Sequence, residues 1–272
     1  LFPQTAEKSF NRVTYKGTVR FEIGPDTNIY ATYSTGFKSG VFNMTGVSPL
    51  AVDPETLKAL EGGIKSDITP WLRANLALYR YDYKDLQVTA RDPLGPGYVL
   101  QNAANATLYG GELETTLAPT DHFRVNAAVA YAHAEYDDFP LAQVFIPRPT
   151  GGNIVSQADV SGNRLPRAPR WTFNIAPSLD VPLASGMLNI NGTLFRSSVV
   201  YFDFLNSVKQ DPYTAINSEI SWRTDDEKFR FSIWATNLTN EKIIQEVRPG
   251  ALGTDLRYEL PRRIGAGVEV KF

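Results

Sequence analysis

The last ten residues, RIGAGVEVKF (263–272), decide the class of fold. Ile264, Ala266, Val268, Val270 and Phe272 alternate with glycine and charged residues, so the apolar side chains share one face of an extended strand. The alternation predicts about eleven strands, many longer than the roughly five or six residues usual in soluble sheets. We therefore expect an all-β protein. The same pattern recurs upstream, most clearly in residues 13–23, 171–181 and 229–235.

The composition narrows the class of protein further. The chain has 272 residues, no cysteine, and 27 Lys and Arg against 29 Asp and Glu, which gives a formal net charge of −2. This balance argues against nucleic acid as the main partner. The lack of cysteine excludes disulfides, thiolate metal sites and cysteine nucleophiles. No apolar run approaches the roughly 20 residues of a membrane-spanning helix, which excludes a helical membrane protein.

Short and long connections alternate between the predicted strands. Short turns at one end and long loops at the other are typical of bacterial outer-membrane barrels, whose strands show apolar residues to lipid and polar residues to the lumen. The pattern favours an antiparallel transmembrane β-barrel over the alternative of a soluble β-sandwich or propeller. The predicted turns are 25–28, 69–70, 119–121, 184–186 and 225–228, and the predicted loops are 37–54, 91–98, 139–169, 205–212 and 240–258.

Five motif-like segments follow one another along the chain. They are YSTGFKSGVFN (33–43), PE with LEGGIKS (54–55 and 60–66), YGGELE (109–114), NLTNEK (237–242), and PRR leading to the terminal Phe272. In this order they resemble the C-terminal barrel half of TonB-dependent outer-membrane receptors. The resemblance implies a 22-stranded barrel closed by an N-terminal plug domain. Residues 1–272 would then form a partial barrel, about eleven strands, without the plug domain and the N-terminal strands.

The function implied by this resemblance is TonB-dependent active uptake of a ferric siderophore or a similar scarce nutrient, not enzyme catalysis. The implied location is the outer membrane of a Gram-negative bacterium. The implied partners are outer-membrane lipid and lipopolysaccharide, an iron–siderophore or other small ligand, and the TonB energy-transducing complex, acting through the N-terminal region. No cofactor is implied. The alternatives are a passive outer-membrane porin and, less favoured, a soluble β-rich carbohydrate-binding module. The sequence does not identify the transported ligand.

Candidate ligand-binding residues lie in the predicted long loops. Arg148, Arg164 and Arg167 would attract an anionic ligand such as a ferric chelate through charge-assisted hydrogen bonds. Their alternative partners are lipopolysaccharide phosphates or loop acids such as Asp159. Aromatic side chains of the loops would stack on a planar ligand or pack the loops together. These aromatic residues are Phe37, Phe42, Tyr98, Phe145, Tyr201 and Phe202.

Other polar residues carry no catalytic or metal-binding pattern. His122 and His133 are eleven residues apart, a spacing that favours a turn residue and a wall residue over a metal pair. Glu112 and Glu114 share the predicted lumen face, where ion pairs with Arg or Lys of neighbouring strands are favoured over a hydrolytic acid pair. We therefore predict no catalytic residue and no metal ligand. By resemblance, Phe272 is the signal read by the outer-membrane assembly machinery.

Two pairs of glycines interrupt predicted strands. Gly62-Gly63 and Gly110-Gly111 open no helix, so they do not indicate phosphate-binding loops. Glycine inside a strand commonly relieves crowding or marks a bulge. We expect one of these structural roles for both pairs.

Overall fold

The computed structural model describes residues 7–43, 51–91 and 98–272, except for the side chains of residues 91, 98, 99 and 103. The described residues form nineteen strands. In chain order they are β1 (Lys16–Glu22), β2 (Thr27–Lys38), β3 (Val41–Phe42), β4 (Ala51–Val52), β5 (Glu55–Thr69), β6 (Leu72–Arg91), β7 (Tyr98–Thr120), β8 (Phe123–Asp138), β9 (Ala142–Pro147), β10 (Asn153–Ala158), β11 (Trp171–Leu183), β12 (Gly186–Ser197), β13 (Val200–Tyr201), β14 (Lys209–Gln210), β15 (Tyr213–Thr224), β16 (Phe229–Thr236), β17 (Ile244–Gly250), β18 (Gly253–Tyr258) and β19 (Arg263–Val270).

The eleven long strands form one antiparallel sheet in chain order, β1-β2-β5-β6-β7-β8-β11-β12-β15-β16-β19. This confirms the predicted number and the predicted antiparallel arrangement. The eight short strands pair in four two-stranded sheets, β3–β4, β9–β10, β13–β14 and β17–β18, all within the long connections. The short turns therefore lie at one end of the sheet and the long loops at the other. Within the described residues no helix is long and apolar enough to span a membrane.

The strand register brings the apolar residues of neighbouring strands into continuous rows, which we call the apolar face. Ile220, for example, pairs with Ile190 on one side and with Ile233 on the other. Ile233 is 64% exposed and Ile264 is 67% exposed, so this face lies open. A second row runs through Phe21, Ile29, Ile64, Leu76, Leu113, Val129 and Phe173.

The opposite side of the sheet, the polar face, carries hydroxyl and charged groups. The Tyr30 hydroxyl donates a hydrogen bond to Glu61 Oε1 at 2.8 Å across β2 and β5. The Arg230 guanidinium forms an ion pair with Glu219 of the neighbouring strand β15. Because successive side chains of a strand point to opposite sides, these polar residues and the apolar rows are separated as the sequence predicts.

The crowding expected at the glycine pairs is present. A Cβ atom on Gly63 would lie 2.5 Å from the carbonyl oxygen of Leu76, and one on Gly110 would lie 2.0 Å from that of Tyr131. Real Cβ atoms do not approach backbone oxygens so closely, so any larger residue would push the strands apart. The tyrosine side chains of adjacent strands occupy the space above these glycines, with the Tyr79 hydroxyl 2.8 Å from the Cβ position of Gly110.

Candidate ligand-binding site

The long-loop end of the sheet has its own hydrophobic core. We call residues 139–170 loop A, 198–212 loop B and 237–262 loop C. Phe139 and Val160 of loop A are each 1% exposed. The ring of Phe204 from loop B packs edge-on against Phe139 and Tyr136, with ring centroids 5.3 and 6.0 Å apart. This core joins loops A and B to the ends of the strands below them.

Backbone-directed hydrogen bonds fix loop B against loop A. The Asn206 side chain accepts from the Arg164 N–H and donates to the Arg164 carbonyl, both at 2.9 Å. The Arg167 N–H donates to the Tyr201 carbonyl at 2.7 Å. Asn206 and Arg167 adopt positive φ angles of 56° and 61°, a conformation that asparagine tolerates better than most residues. The two arginines are therefore held at defined positions by their own backbone.

Loop C joins the same assembly through polar contacts. The Asn153 side chain, which is buried, donates a 2.7 Å hydrogen bond to the Gly250 carbonyl and contacts the Thr254 hydroxyl at 3.1 Å. The Ile244 N–H donates to Gln210 Oε1 of loop B at 2.9 Å. Loops A, B and C thus form one interlocked unit at the long-loop end.

A cavity of about 480 Å³ lies between the three loops, and we call it the three-loop cavity. Small-molecule sites commonly have volumes of about 300–1,000 Å³ and are lined mainly by apolar and aromatic side chains with a few polar groups. This lining has that character. It includes Phe145 and Pro147 from loop A, Phe202, Phe204, Leu205 and Val208 from loop B, Val247, Arg248 and Pro249 from loop C, and Thr89 from β6.

Next to the lining residue Arg248, arginines surround a single glutamate, Glu246. Arg248 Nε donates to Glu246 Oε1 at 2.8 Å, and Arg257 Nη1 lies 3.8 Å from Glu246 Oε2. The hydrogen bond from Arg248, with the positive charges of Arg248, Arg257 and Arg167, lowers the pKa of Glu246. Glu246 therefore stays ionised at neutral pH. Asp255 lies opposite Arg248 in the register of the β17–β18 hairpin. Its carboxylate is a second negative charge near the Arg248 guanidinium.

The aspartate in the cavity lining is used by its own loop. Asp203 Oδ1 accepts a hydrogen bond from the Val208 N–H, and Oδ2 accepts one from the Ser207 hydroxyl, both at 2.7 Å. A carboxylate that accepts local donors in this way closes a turn. Asp203 consequently shapes loop B and forms no ion pair with Arg164 or Arg167 of loop A.

Two of the predicted arginines lie beside aromatic rings at this site. The Arg164 guanidinium carbon is 5.6 Å from the centre of the Tyr201 ring, and that of Arg167 is 5.9 Å from the Phe202 ring. Neither guanidinium group makes a side-chain hydrogen bond or ion pair within the part of the chain that the structure describes. The loop acid Asp159 bonds instead to the Ser161 hydroxyl and N–H, which lower its pKa. The structure thus brings together Arg164, Arg167 and Tyr201.

The other predicted binding residues lie elsewhere. Arg148 is exposed in the tight turn between β9 and β10, where its N–H donates to the Gly152 carbonyl. Phe37 belongs to β2, opposite Thr56, on the apolar face. Phe42 is half-buried in β3, and the side chain of Tyr98 lies outside the described residues. Their roles in ligand binding stay predictions.

Sequence reasoning missed the contribution of loop C. Glu246, Arg248 and Arg257 become neighbours because β17 and β18 pair, with Glu246 opposite Arg257. The proline and glycines of RPGALG (248–253) could have indicated a hairpin turn, but nothing in the sequence shows that this segment docks on loop A. The core around Phe204 was missed for the same reason, since its contacts with Tyr136 and Phe139 join residues far apart in the chain.

The predicted lumen acids share the polar face as expected. Glu112 pairs in register with Ala77 and Ala130, and Glu114 with Asn75 and Ala128. No Arg or Lys among the described residues comes within ion-pair distance of either carboxylate, so the expected ion pairs are not found there. His122 lies in the turn before β8, and His133 lies in β8, where its Nε2 is 3.1 Å from Glu135 Oε2.

The match to a protein family decides the class of this assembly. Residues 2–238 match the family model described as the TonB dependent receptor-like β-barrel. The chain belongs to this family. TonB-dependent receptors are receptors and transporters rather than enzymes, which agrees with the prediction made from the sequence. The match covers ten of the eleven wall strands and loops A and B, and it ends at the start of loop C, before β19.

Solved structures of TonB-dependent receptors share the fold. The ferric yersiniabactin uptake receptor of Yersinia pestis matches with a TM-score of 0.77 at 18% identity, over 94% of this chain and 37% of that receptor. A siderophore receptor of Acinetobacter baumannii matches with a TM-score of 0.71 at 19% identity, over 94% and 35%. The ferripyoverdine receptor of the Pseudomonas aeruginosa outer membrane matches with a TM-score of 0.64 at 14% identity, over 93% and 32%. The chain thus spans about a third of the length of these receptors.

Proposed function

We propose that this chain forms part of an outer-membrane receptor that takes up a ferric siderophore or a similar scarce nutrient with energy from TonB. The observation that carries the proposal is the three-loop cavity, which lies at the long-loop end of a sheet that belongs to the TonB-dependent receptor family. In outer-membrane barrels the long loops are extracellular. The cavity would then meet ligands arriving from outside the cell.

The proposed architecture follows from the sheet. Residues 1–272 supply eleven strands of a 22-stranded barrel, and a plug domain and further strands belong to the rest of the receptor. The polar face lines the lumen, because the apolar face with residues such as Ile233 and Val268 suits contact with lipid. The family relation and the similar structures support this arrangement.

A belt of charged residues on the outward side supports a location among lipopolysaccharide molecules. Near the long-loop end of the sheet, Arg80 pairs with Asp82 at 3.0 Å, and Arg170 lies 3.5 Å from Glu135. Arg80 and Asp82 share the face of Leu76 and Leu78, and therefore follow the apolar rows toward the cell exterior. At this level of the barrel wall, the arginines would bind lipopolysaccharide phosphate groups, and the carboxylates would bind the cations that bridge those phosphates.

The test is uptake of iron by the full-length receptor in its host. Cells that lack the receptor gene should lose uptake of the cognate radioactive iron-55 chelate under iron limitation, and a plasmid copy should restore it. Restoration should fail in a strain without TonB. Uptake that continues unchanged without TonB would contradict active transport.

Ion conductance separates this proposal from a passive porin. The purified full-length receptor, reconstituted in a planar bilayer, should show almost no steady conductance because a plug closes the lumen. A stable open channel of constant conductance would favour the porin and reject the plugged receptor.

A further inference from the structure

We propose that the three-loop cavity selects an anionic chelate that carries aromatic rings, and that Glu246 limits how tightly this chelate is held. The inference rests on the proposed uptake function and names the class of ligand. It is carried by two properties of one cavity: aromatic side chains in the lining and guanidinium groups without a full set of carboxylate partners.

The aromatic component comes from loops A and B. Phe145, Phe202 and Phe204 line the cavity from two sides, and Phe145 and Phe202 are half-buried, so their rings retain accessible surface. Aromatic rings pack favourably against one another in offset or edge-on geometries, beyond the gain from burial alone. A ligand with planar rings would therefore fit this lining better than an aliphatic chelate of the same charge.

The charge preference comes from the arginines. Arg167 lies over Phe202, beside the cavity, and Arg248 is part of the lining. Arg248 and Arg257 share Glu246, while Arg164 and Arg167 make no side-chain ion pair in the described chain. Guanidinium groups bind oxyanions through paired, charge-assisted hydrogen bonds. The oxygen-rich, negatively charged shell of a ferric catecholate has the complementary chemistry.

Glu246 acts against the ligand in this arrangement. Its carboxylate accepts a hydrogen bond from Arg248, which lines the cavity, and so engages a guanidinium group that an incoming anion would use. The ligand must compete for this group and also approach a fixed negative charge. Neutralising Glu246 should therefore strengthen the binding of an anion, a gain that damage to the fold does not produce.

Three ferric probes separate charge from aromaticity in the full-length receptor. A synthetic hexadentate ferric tris(catecholate) is anionic and aromatic, ferric citrate is anionic without rings, and a ferric trihydroxamate has neither property. Titration with quenching of tryptophan fluorescence gives the dissociation constants. We expect the tris(catecholate) to bind most tightly and the trihydroxamate least.

Variants then locate the binding to the cavity. Arg167→Gln should weaken the tris(catecholate) about tenfold, equivalent to about 1.4 kcal/mol, because a hydrogen bond between charged groups is lost. Phe202→Leu should weaken the tris(catecholate) and leave ferric citrate unchanged. Glu246→Gln should strengthen both anions about threefold, in the range of partly exposed charge pairs. Arg223→Gln, at the short-turn end of β15, is the matched control and should have no effect.

The outcomes distinguish this inference from the proposed function. Tightest binding of the trihydroxamate, or equal effects of Arg167→Gln and Arg223→Gln, would overturn the inference and leave a siderophore receptor with another ligand class. Weaker anion binding by Glu246→Gln would also overturn it. If none of the three chelates binds and iron uptake is independent of the receptor, both proposals fail.

Discussion

Asn237 shows how one residue closes a strand and starts a loop. It is 8% exposed, has a positive φ of 50°, and its side chain accepts from the Glu241 N–H and donates to the Glu241 carbonyl, both at 2.9 Å. Its own N–H donates to Asn217 Oδ1 at 2.9 Å. Asparagine combines tolerance of this backbone conformation with a side chain that can make both bonds. This explains the NLTNEK segment, which the sequence identified only as a motif.

We expect Asn237→Ala to reduce the free energy of unfolding of the receptor by about 2–3 kcal/mol, because buried backbone groups lose their partners and the φ angle becomes strained. Asn237→Gly should cost about 1 kcal/mol less, since glycine removes the strain and still lacks the hydrogen bonds. Urea unfolding in lipid vesicles measures both. Equal stability of the alanine variant and the natural receptor would show that these bonds contribute nothing.

Phe272 is a second residue with a specific prediction. It follows the last strand and is fully exposed, so it stabilises no described core. If it is the signal for the assembly machinery, Phe272→Ser should reduce the amount of folded receptor in the outer membrane several-fold without changing the stability of the protein that does assemble. Heat-modifiable migration on gels measures the folded fraction. A loss of stability with unchanged yield would assign Phe272 to the barrel seam instead.

At the scale of the strands, the close packing of β7 against β8 depends on Gly110. The Cβ position of Gly110 falls 2.0 Å from the Tyr131 carbonyl oxygen, whereas that of Gly192 in β12 has no neighbour closer than 3.7 Å. The sequence predicts relief of crowding or a bulge at the pair Gly110-Gly111 and makes no prediction for the single Gly192. The structure shows that a Cβ would be crowded at Gly110 and would make only ordinary contacts at Gly192.

This difference provides a matched pair of variants. Gly110→Ala should reduce the free energy of unfolding by about 1–3 kcal/mol, the usual cost of forcing extra volume into a packed site. Gly192→Ala should be neutral or slightly stabilising, because alanine restricts the unfolded chain and its Cβ would make only ordinary van der Waals contacts. Urea unfolding in vesicles compares them directly. Equal effects of the two substitutions would contradict the crowding at Gly110.

The wall strands and turns could be predicted from the sequence, whereas the small sheets in the loops could not. The eleven wall strands were predictable because period-two alternation, as in Phe229, Phe231 and Ile233, is imposed locally by a sheet with two different faces. The turns were predictable from Pro, Asp and Gly. The four small sheets in the loops were not, because a two-residue strand such as β13 (Val200–Tyr201) has no period to detect. The cavity depends on contacts between loops far apart in the chain, so only Arg164, Arg167 and a few aromatic residues were identified in advance.

At the scale of the whole molecule, the two faces of the sheet meet different surroundings. Ile233 lies in the middle of β16 on the apolar face, and Thr193 lies on the polar face of β12. Ile233→Arg should destabilise the receptor in a bilayer by about 2–4 kcal/mol, the cost of an arginine exposed to the lipid midplane. Thr193→Arg should have a much smaller effect, since the lumen accepts charge. The comparison uses urea unfolding in vesicles, and a reversed order would exchange the lipid and lumen assignments.

The hydrophobic core of the loops has a consequence for the thermodynamics of recognition. Phe139, Val160 and Phe204 hold loops A and B in place before any ligand arrives. Ordering flexible side chains at a binding site commonly costs about 0.5–1.5 kcal/mol for each one immobilised. Here much of that conformational entropy is lost during folding. Association should therefore show a small entropic penalty in calorimetry and a rate limited by diffusion and electrostatic attraction rather than by loop closure.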